Sequence, residues 1–163
     1  MFSRFAAILA IGCGVALMAV YGPTLGTSRG EQPAIDGMKS VGESGPLDGM
    51  KFVGELGPEG KPKDVTDVFV FAQGDFVSEE CRARCNYPAR PYLIRETDAG
   101  TEFLSNTKCP TKNAEITWHG TVKDGRIKGI ATWTVRRWYW TMTNTFEFAG
   151  KLEKGSNNLA IAD

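Results

Sequence analysis

Residues 116–135 read "ITWHGTVKDGRIKGIATWTV", and this stretch decides the fold. Its apolar residues recur at every second position. Ile116, Trp118, Gly120 and Val122 share one face of a strand, and Ile127, Gly129, Ala131, Trp133 and Val135 share a face of a second. Between the two runs stands Asp124-Gly125, a strong two-residue hairpin signal. One buried and one wet face on each strand is the pattern of an antiparallel sheet.

Outward from this hairpin the period of two persists over most of the chain. Candidate strands are Met50–Leu56, Asp67–Ala72, Asp75–Cys81, Tyr92–Thr97, Glu102–Thr107, Ala114–Val122, Arg126–Val135 and Trp138–Leu152. Gln73-Gly74 and Asp98-Ala99-Gly100 supply further turns, and no convincing amphipathic helix is legible. The last strand puts Trp138, Trp140, Met142, Phe146, Phe148 and Leu152 on one side and Tyr139, Thr141, Thr143, Thr145 and Glu147 on the other. Gly120, Gly129 and Gly150 interrupt the inward stripes, as glycines do where a sheet coils. The expected fold is all-β, an antiparallel up-and-down barrel of about eight strands, with a twisted open sheet or a two-sheet sandwich as the alternative.

Before the strands the composition differs. Arg4 is followed by eighteen uncharged residues, Phe5 to Gly22, expected as an apolar helix serving as signal peptide or single membrane anchor over 1–26. Thr24-Leu25-Gly26 is the best small-residue cleavage site, and Cys13 offers a lipidation alternative. Residues 27–47 are rich in Gly, Pro, Ser, Glu and Lys and read as a flexible tether. The folded domain is then 48–153, with 154–163 a tail. Either version of the leader takes the domain out of the cytoplasm, and the lack of organelle-type transit composition fits a bacterial periplasm, free or anchored.

The boundary at 48 rests on a repeat. "DGMKSVGESGP" at 36–46 returns as "DGMKFVGELGP" at 48–58, and the copies differ only at Ser40 versus Phe52 and Ser44 versus Leu56. As a strand, the second copy places Met50, Phe52, Gly54 and Leu56 on one face. Burying Phe and Leu stabilises by about 1.5–3 kcal/mol each, which two serines cannot match. The second copy is therefore expected as the first barrel strand and the first copy as tether, removable at little cost to stability.

From Asp48 to Leu152 the chain resembles a group of small exported bacterial proteins that have no assigned activity. The resemblance runs through "DGMKFVGELGPEGKP", "FVFAQGDFVSEEC", "PYLIRE", "ITWHGTVKDGRIKGIATWTVRRWYWT" and "FEFAGKL". It implies a lipocalin-like (calycin-like) barrel and brings no catalytic residues. The Gly-x-Trp opening of true lipocalins is absent, so the likeness is architectural.

The chain has 163 residues, a formal net charge of zero and one histidine, His119. Nothing global points to nucleic acid. Three cysteines fall in the domain. Cys81-Arg-Ala-Arg-Cys85 resembles the Cys-x-x-x-Cys-Pro of envelope copper-delivery proteins, but its proline is displaced to position 88. A structural disulfide is the other use of such thiols outside the cytoplasm, and Cys81–Cys109 is the expected pair because Cys81 ends a candidate strand. Arg82, Arg84, Arg90, Arg95, Arg136 and Arg137 either form a basic rim for an anion or are solvated and balanced by Glu79, Glu80 and Glu96. Trp138-Tyr139-Trp140 is either a stacking platform or plain alternation. The candidate ligand-binding set is Trp138, Trp140, Arg137, Arg95 and Tyr92. No nucleophile, base or carboxylate pair is placed for catalysis, and no metal or cofactor is expected.

The expected function is a non-catalytic module near a membrane, to which the N-terminal segment would hold it. It would bind a small apolar or anionic ligand or an envelope protein. The alternative is a thiol-based copper or redox accessory protein using Cys81, Cys85 and Cys109.

Overall fold

A computed structural model describes residues 37–156. The expected apolar helix, residues 27–36 of the tether, Cys13 and residues 157–163 lie outside that range. Nine antiparallel strands form one sheet: β1 Lys39–Ser40, β2 Lys51–Pro58, β3 Val65–Ala72, β4 Asp75–Ser78, β5 Arg90–Thr97, β6 Gly100–Lys108, β7 Ala114–Lys123, β8 Arg126–Arg136 and β9 Thr141–Leu152. Strands β2 to β9 follow one another around a ring, and β9 returns to β2. The result is all-β and barrel-like.

The hairpin around Asp124-Gly125 is where it was expected. Strands β7 and β8 pair in register from Ala114↔Val135 to Lys123↔Arg126. Asp124 and Gly125 both take positive φ, 49° and 67°, as do Gln73 and Gly74, 55° and 77°. Those turns twist in the sense that strands twist, so the flanking strands stay paired. Gly120 faces Gly129 across the ladder. A Cβ at Gly120 would sit 2.8 Å, and one at Gly129 2.7 Å, from the Phe148 ring, so the pair lets an aromatic lie flat on the coiled sheet.

Inward positions fill the ring with aromatics. Phe52, Phe69, Phe71, Tyr92, Phe103, Trp118 and Phe148 are almost wholly buried. Their rings meet edge-on or tilted, with centroids 4.9 Å apart for Phe71–Phe103, 5.1 Å for Phe69–Phe148 and 5.4 Å for Trp118–Phe148. That geometry suits the ring quadrupoles.

Three expectations change. First, the strand expected over Asp75–Cys81 stops at Ser78, and a short helix, α1 Glu79–Cys85, follows. Ser78 caps it by accepting from the Cys81 N–H at 3.2 Å, and its own hydroxyl donates to buried Asp67 at 2.6 Å. Asn86 ends the helix in the left-handed conformation. Acidic Glu79 and Glu80 in the first turn and basic Arg82 and Arg84 in the last suit the helix dipole.

Second, the inward stripe expected along the last strand does not run its full length. Phe148 is buried, but Trp138 is 93% exposed, and Trp140 and Met142 are exposed. Strand β9 begins only at Thr141. On its β2 side the pairing ends at Phe146↔Pro58, with one further bond from the Glu59 N–H to the Thr145 carbonyl at 3.0 Å. The β9 arm and the tip of the β8–β9 hairpin therefore overhang the ring, although β8 stays paired with β7 as far as Val135, and alternation without a neighbour buries nothing.

Third, the first repeat copy joins the fold. Lys39 and Ser40 pair with Ile94 and Leu93 just past the point where β4 leaves β5. Leu47, in the spacer between the copies, is 2% exposed. Asp48 ties this segment down. Its carboxylate accepts from the Gly45 and Gly74 N–H groups, both at 2.9 Å, and from the Tyr92 hydroxyl at 2.8 Å. The contrast between the copies holds, since Ser40 and Ser44 are exposed, Phe52 is buried and Leu56 half-buried. The tether reading is replaced from Lys39 onward because a spacer leucine, outside the repeat comparison, found the core. Residues 41–50 thereby cover the end of the ring that holds the Gln73-Gly74 turn.

Candidate ligand site

The opposite end is built from α1, the β6–β7 loop and the β8–β9 hairpin. Asn86 in its left-handed turn sends the chain back, with its N–H on the Arg82 carbonyl at 2.9 Å, and drops Tyr87 into the ring mouth. Tyr87 is buried, and its hydroxyl accepts from Trp133 Nε1–H at 2.9 Å. Burial pushes its phenol above the ordinary value, against the opposing effect of the Trp133 donor. This bond across the mouth fixes two rings that wall two adjoining spaces.

The inner space is an apolar pocket of about 190 Å³, lined by Leu56, Cys81, Ile116, Trp118, Ala131 and Phe146 with Cys85, Tyr87 and Trp133. The outer is a cleft of about 560 Å³ that shares Cys85, Tyr87 and Trp133 with it. The cleft adds Arg84, Lys112, Arg136, Arg137, Trp140 and Met142, and no carboxylate lines it. Arg84 is paired with Glu80, and Arg136 with Glu115 at 2.6 Å. The side chains of Arg137 and Lys112 have no ion pair among the described residues. An apolar recess therefore lies beside a positively charged cleft, with Cys85, Tyr87 and Trp133 as their shared wall.

The three domain cysteines surround this mouth as free thiols. The expected Cys81–Cys109 disulfide is not formed. Coiling of residues 79–85 into α1 turns Cys81 onto the apolar pocket, while Cys109 lies at the far end of the helix, its Sγ 3.8 Å from the Cys85 carbonyl oxygen. Cys85 is exposed, and burial lifts the Cys81 thiol from 9.0 to about 11. Among the described residues no group of three His, Cys, Asp or Glu side chains is arranged to hold a metal ion.

Of the five residues expected to bind ligand, Arg137 and Trp140 line the cleft. Trp138 stands outside it at the hairpin tip. Tyr92 is in the core, held by Asp48 toward the closed end. Arg95 is on the outer face of β5, where its Nη2 meets Glu102 at 2.6 Å. The six arginines thus do not form one rim. Arg82 pairs with Glu79 at 2.9 Å, and only Arg84, Arg136 and Arg137 reach the cleft. Sequence reasoning missed Tyr87, Trp133 and Lys112 as site residues. The helix stop at Cys85-Asn86 was the available signal for Tyr87, because a left-handed Asn reverses the chain. His119 is an exposed residue of β7, on the face opposite Trp118. No family model, no curated protein and no solved structure matches the chain.

Proposed function

We propose that the protein is a non-catalytic binding module of lipocalin-like, up-and-down barrel architecture, exported to a bacterial envelope, that takes up a small amphipathic anion. The ligand's short alkyl chain or single ring would occupy the apolar pocket, and its carboxylate or other anionic group would lie in the cleft near Arg137 and Lys112. The observation that carries this reading is the adjacency of an apolar recess and a cationic cleft that share Cys85, Tyr87 and Trp133 as a common wall. The pocket is smaller than the roughly 300–1,000 Å³ that encloses a drug-sized ligand, so only part of a ligand enters it. Arginine suits a carboxylate because its fork donates two parallel hydrogen bonds.

The test is calorimetric titration with octanoate. Saturable binding is expected. Ala131→Leu fills the pocket from a 2%-exposed strand position and should lower affinity at least about tenfold, or about 1.4 kcal/mol. Arg137→Glu should weaken binding while leaving the melting temperature alone. If octanoate does not bind, or both variants bind it like the wild type, the reading is wrong. The alternative, a thiol-based accessory protein, is supported by three free thiols around one mouth. Its readout is thiol titration of the unreduced protein, in which the three thiols should react.

A further inference from the structure

Four of the seven exposed large hydrophobic residues among the described residues, Trp138, Tyr139, Trp140 and Met142, fall within five positions at the tip of the β8–β9 hairpin. Trp138 is 93% and Tyr139 67% exposed, far beyond what isolated surface apolar residues require an explanation for. The tip is ordered. The Arg137 N–H donates to the Trp140 carbonyl at 2.8 Å, and the Trp138 and Tyr139 rings meet at 4.6 Å. It is also carried outward, because β9 has no partner on its β2 side before Thr145. The tip is a protrusion, which suits insertion into a soft surface better than enclosure of a rigid ligand.

Its surroundings select the surface. Arg84, Lys112, Arg136 and Arg137 all lie at this end of the ring and share the cleft below the tip with Trp140. Two of these cations are without an ion pair among the described residues. Trp and Tyr are the side chains that settle at the headgroup level of a bilayer, with an apolar ring inward and a polar N–H or O–H toward water. Cations beside them are attracted to anionic headgroups.

We propose that residues 137–142 dock this end of the ring into the interfacial layer of an anionic lipid bilayer. The contact differs from any made by the N-terminal segment, and it would turn the mouth of the cleft toward the lipid.

The full chain is tested in vesicles of phosphatidylcholine, with and without phosphatidylglycerol, whose acyl chains carry bromine. Attachment itself is not the readout, because the Phe5–Gly22 run alone can supply it. The readout is quenching of tryptophan emission by bromine, which reports depth. Quenching is expected in the anionic vesicles, reduced by high salt and by Lys112→Glu, and lost in the Trp138→Ser/Tyr139→Ser double variant. Trp118 lies within the ring and contributes no quenching, and Trp133, half-buried at the mouth of the cleft, is quenched only when this end of the ring is docked. The double variant alters only exposed side chains and should melt as the wild type does. Equal quenching in the double variant, no quenching in anionic vesicles, or equal quenching without phosphatidylglycerol would each overturn the proposal. The second of these results would assign the tip to a protein partner instead.

Discussion

At the residue scale, the positions that matter most are polar atoms and thiols held where water does not reach. Asp67 is 2% exposed, and burial raises its pKa despite donors from Ser78, Glu80 and Val68. It survives there because those donors knit β3 to the start of α1. Cys81 gives a prediction with a definite sign. Its thiol is lifted from 9.0 to about 11, so the folded state keeps its proton after the unfolded chain has begun to lose it. The associated stability is complete below pH 9 and disappears as pH rises toward 11. At about 1.4 kcal/mol per unit, its extent is roughly 2–3 kcal/mol. Urea midpoints of wild type and Cys81→Ala, both in reductant, should therefore converge by that amount between pH 8.5 and 11. A difference that stays flat over this window would show that Cys81 is not buried as described.

At the element scale, the segment before β2 and the overhang of β8–β9 behave oppositely to their sequence patterns. The first repeat copy looks expendable, yet it leads into Leu47 and Asp48, which cover one end of the ring. Leu47→Ala is expected to cost about 2–4 kcal/mol, read as a lower urea midpoint at unchanged slope. Asp48→Ala leaves the Tyr92 hydroxyl and two N–H groups without their acceptor and should cost about 1–3 kcal/mol. Ser40→Ala and Ser44→Ala, at exposed positions, should stay within about 0.5 kcal/mol of wild type. If Leu47→Ala were as mild as the serine changes, residues 41–50 would be a tether after all. The overhang is the converse case, since Trp138 and Trp140 continue an inward stripe but have no strand to cover them.

At the scale of the whole molecule the two ends of the ring differ. One is covered by residues 41–50, and the other opens through the apolar pocket and cleft beneath the aromatic tip. Local stability should follow that division. Amides of Trp118–Val122 and Ile127–Ala131 are expected to exchange hydrogen only on global unfolding. Those of Thr141–Asn144 should exchange through local opening, at rates faster by orders of magnitude. Uniform protection across β8 and β9 would mean that another surface covers the tip.

The all-β class, the eight strands of the ring, the Asp124-Gly125 and Gln73-Gly74 hairpins and the contrast between the two repeat copies were legible in the sequence alone, whereas the ninth strand, β1, was not. Each depends on local chemistry: period-two alternation, left-handed turn residues, and Phe or Ser at a single inward position. The tertiary structure decided what sequence could not reach. It showed that Ser78 ends a strand by capping a helix, because Asp67 from another strand waits to receive its hydroxyl. It placed Arg95 and Tyr92 away from Arg137 and Trp140, because Tyr92 sits in the core toward the closed end and Arg95 lies on the outer face of β5. It seated Tyr87 against Trp133 across 46 positions. Alternation states which side of a strand is apolar, but whether that side is buried depends on a neighbour, and in an overhanging hairpin the neighbour is missing.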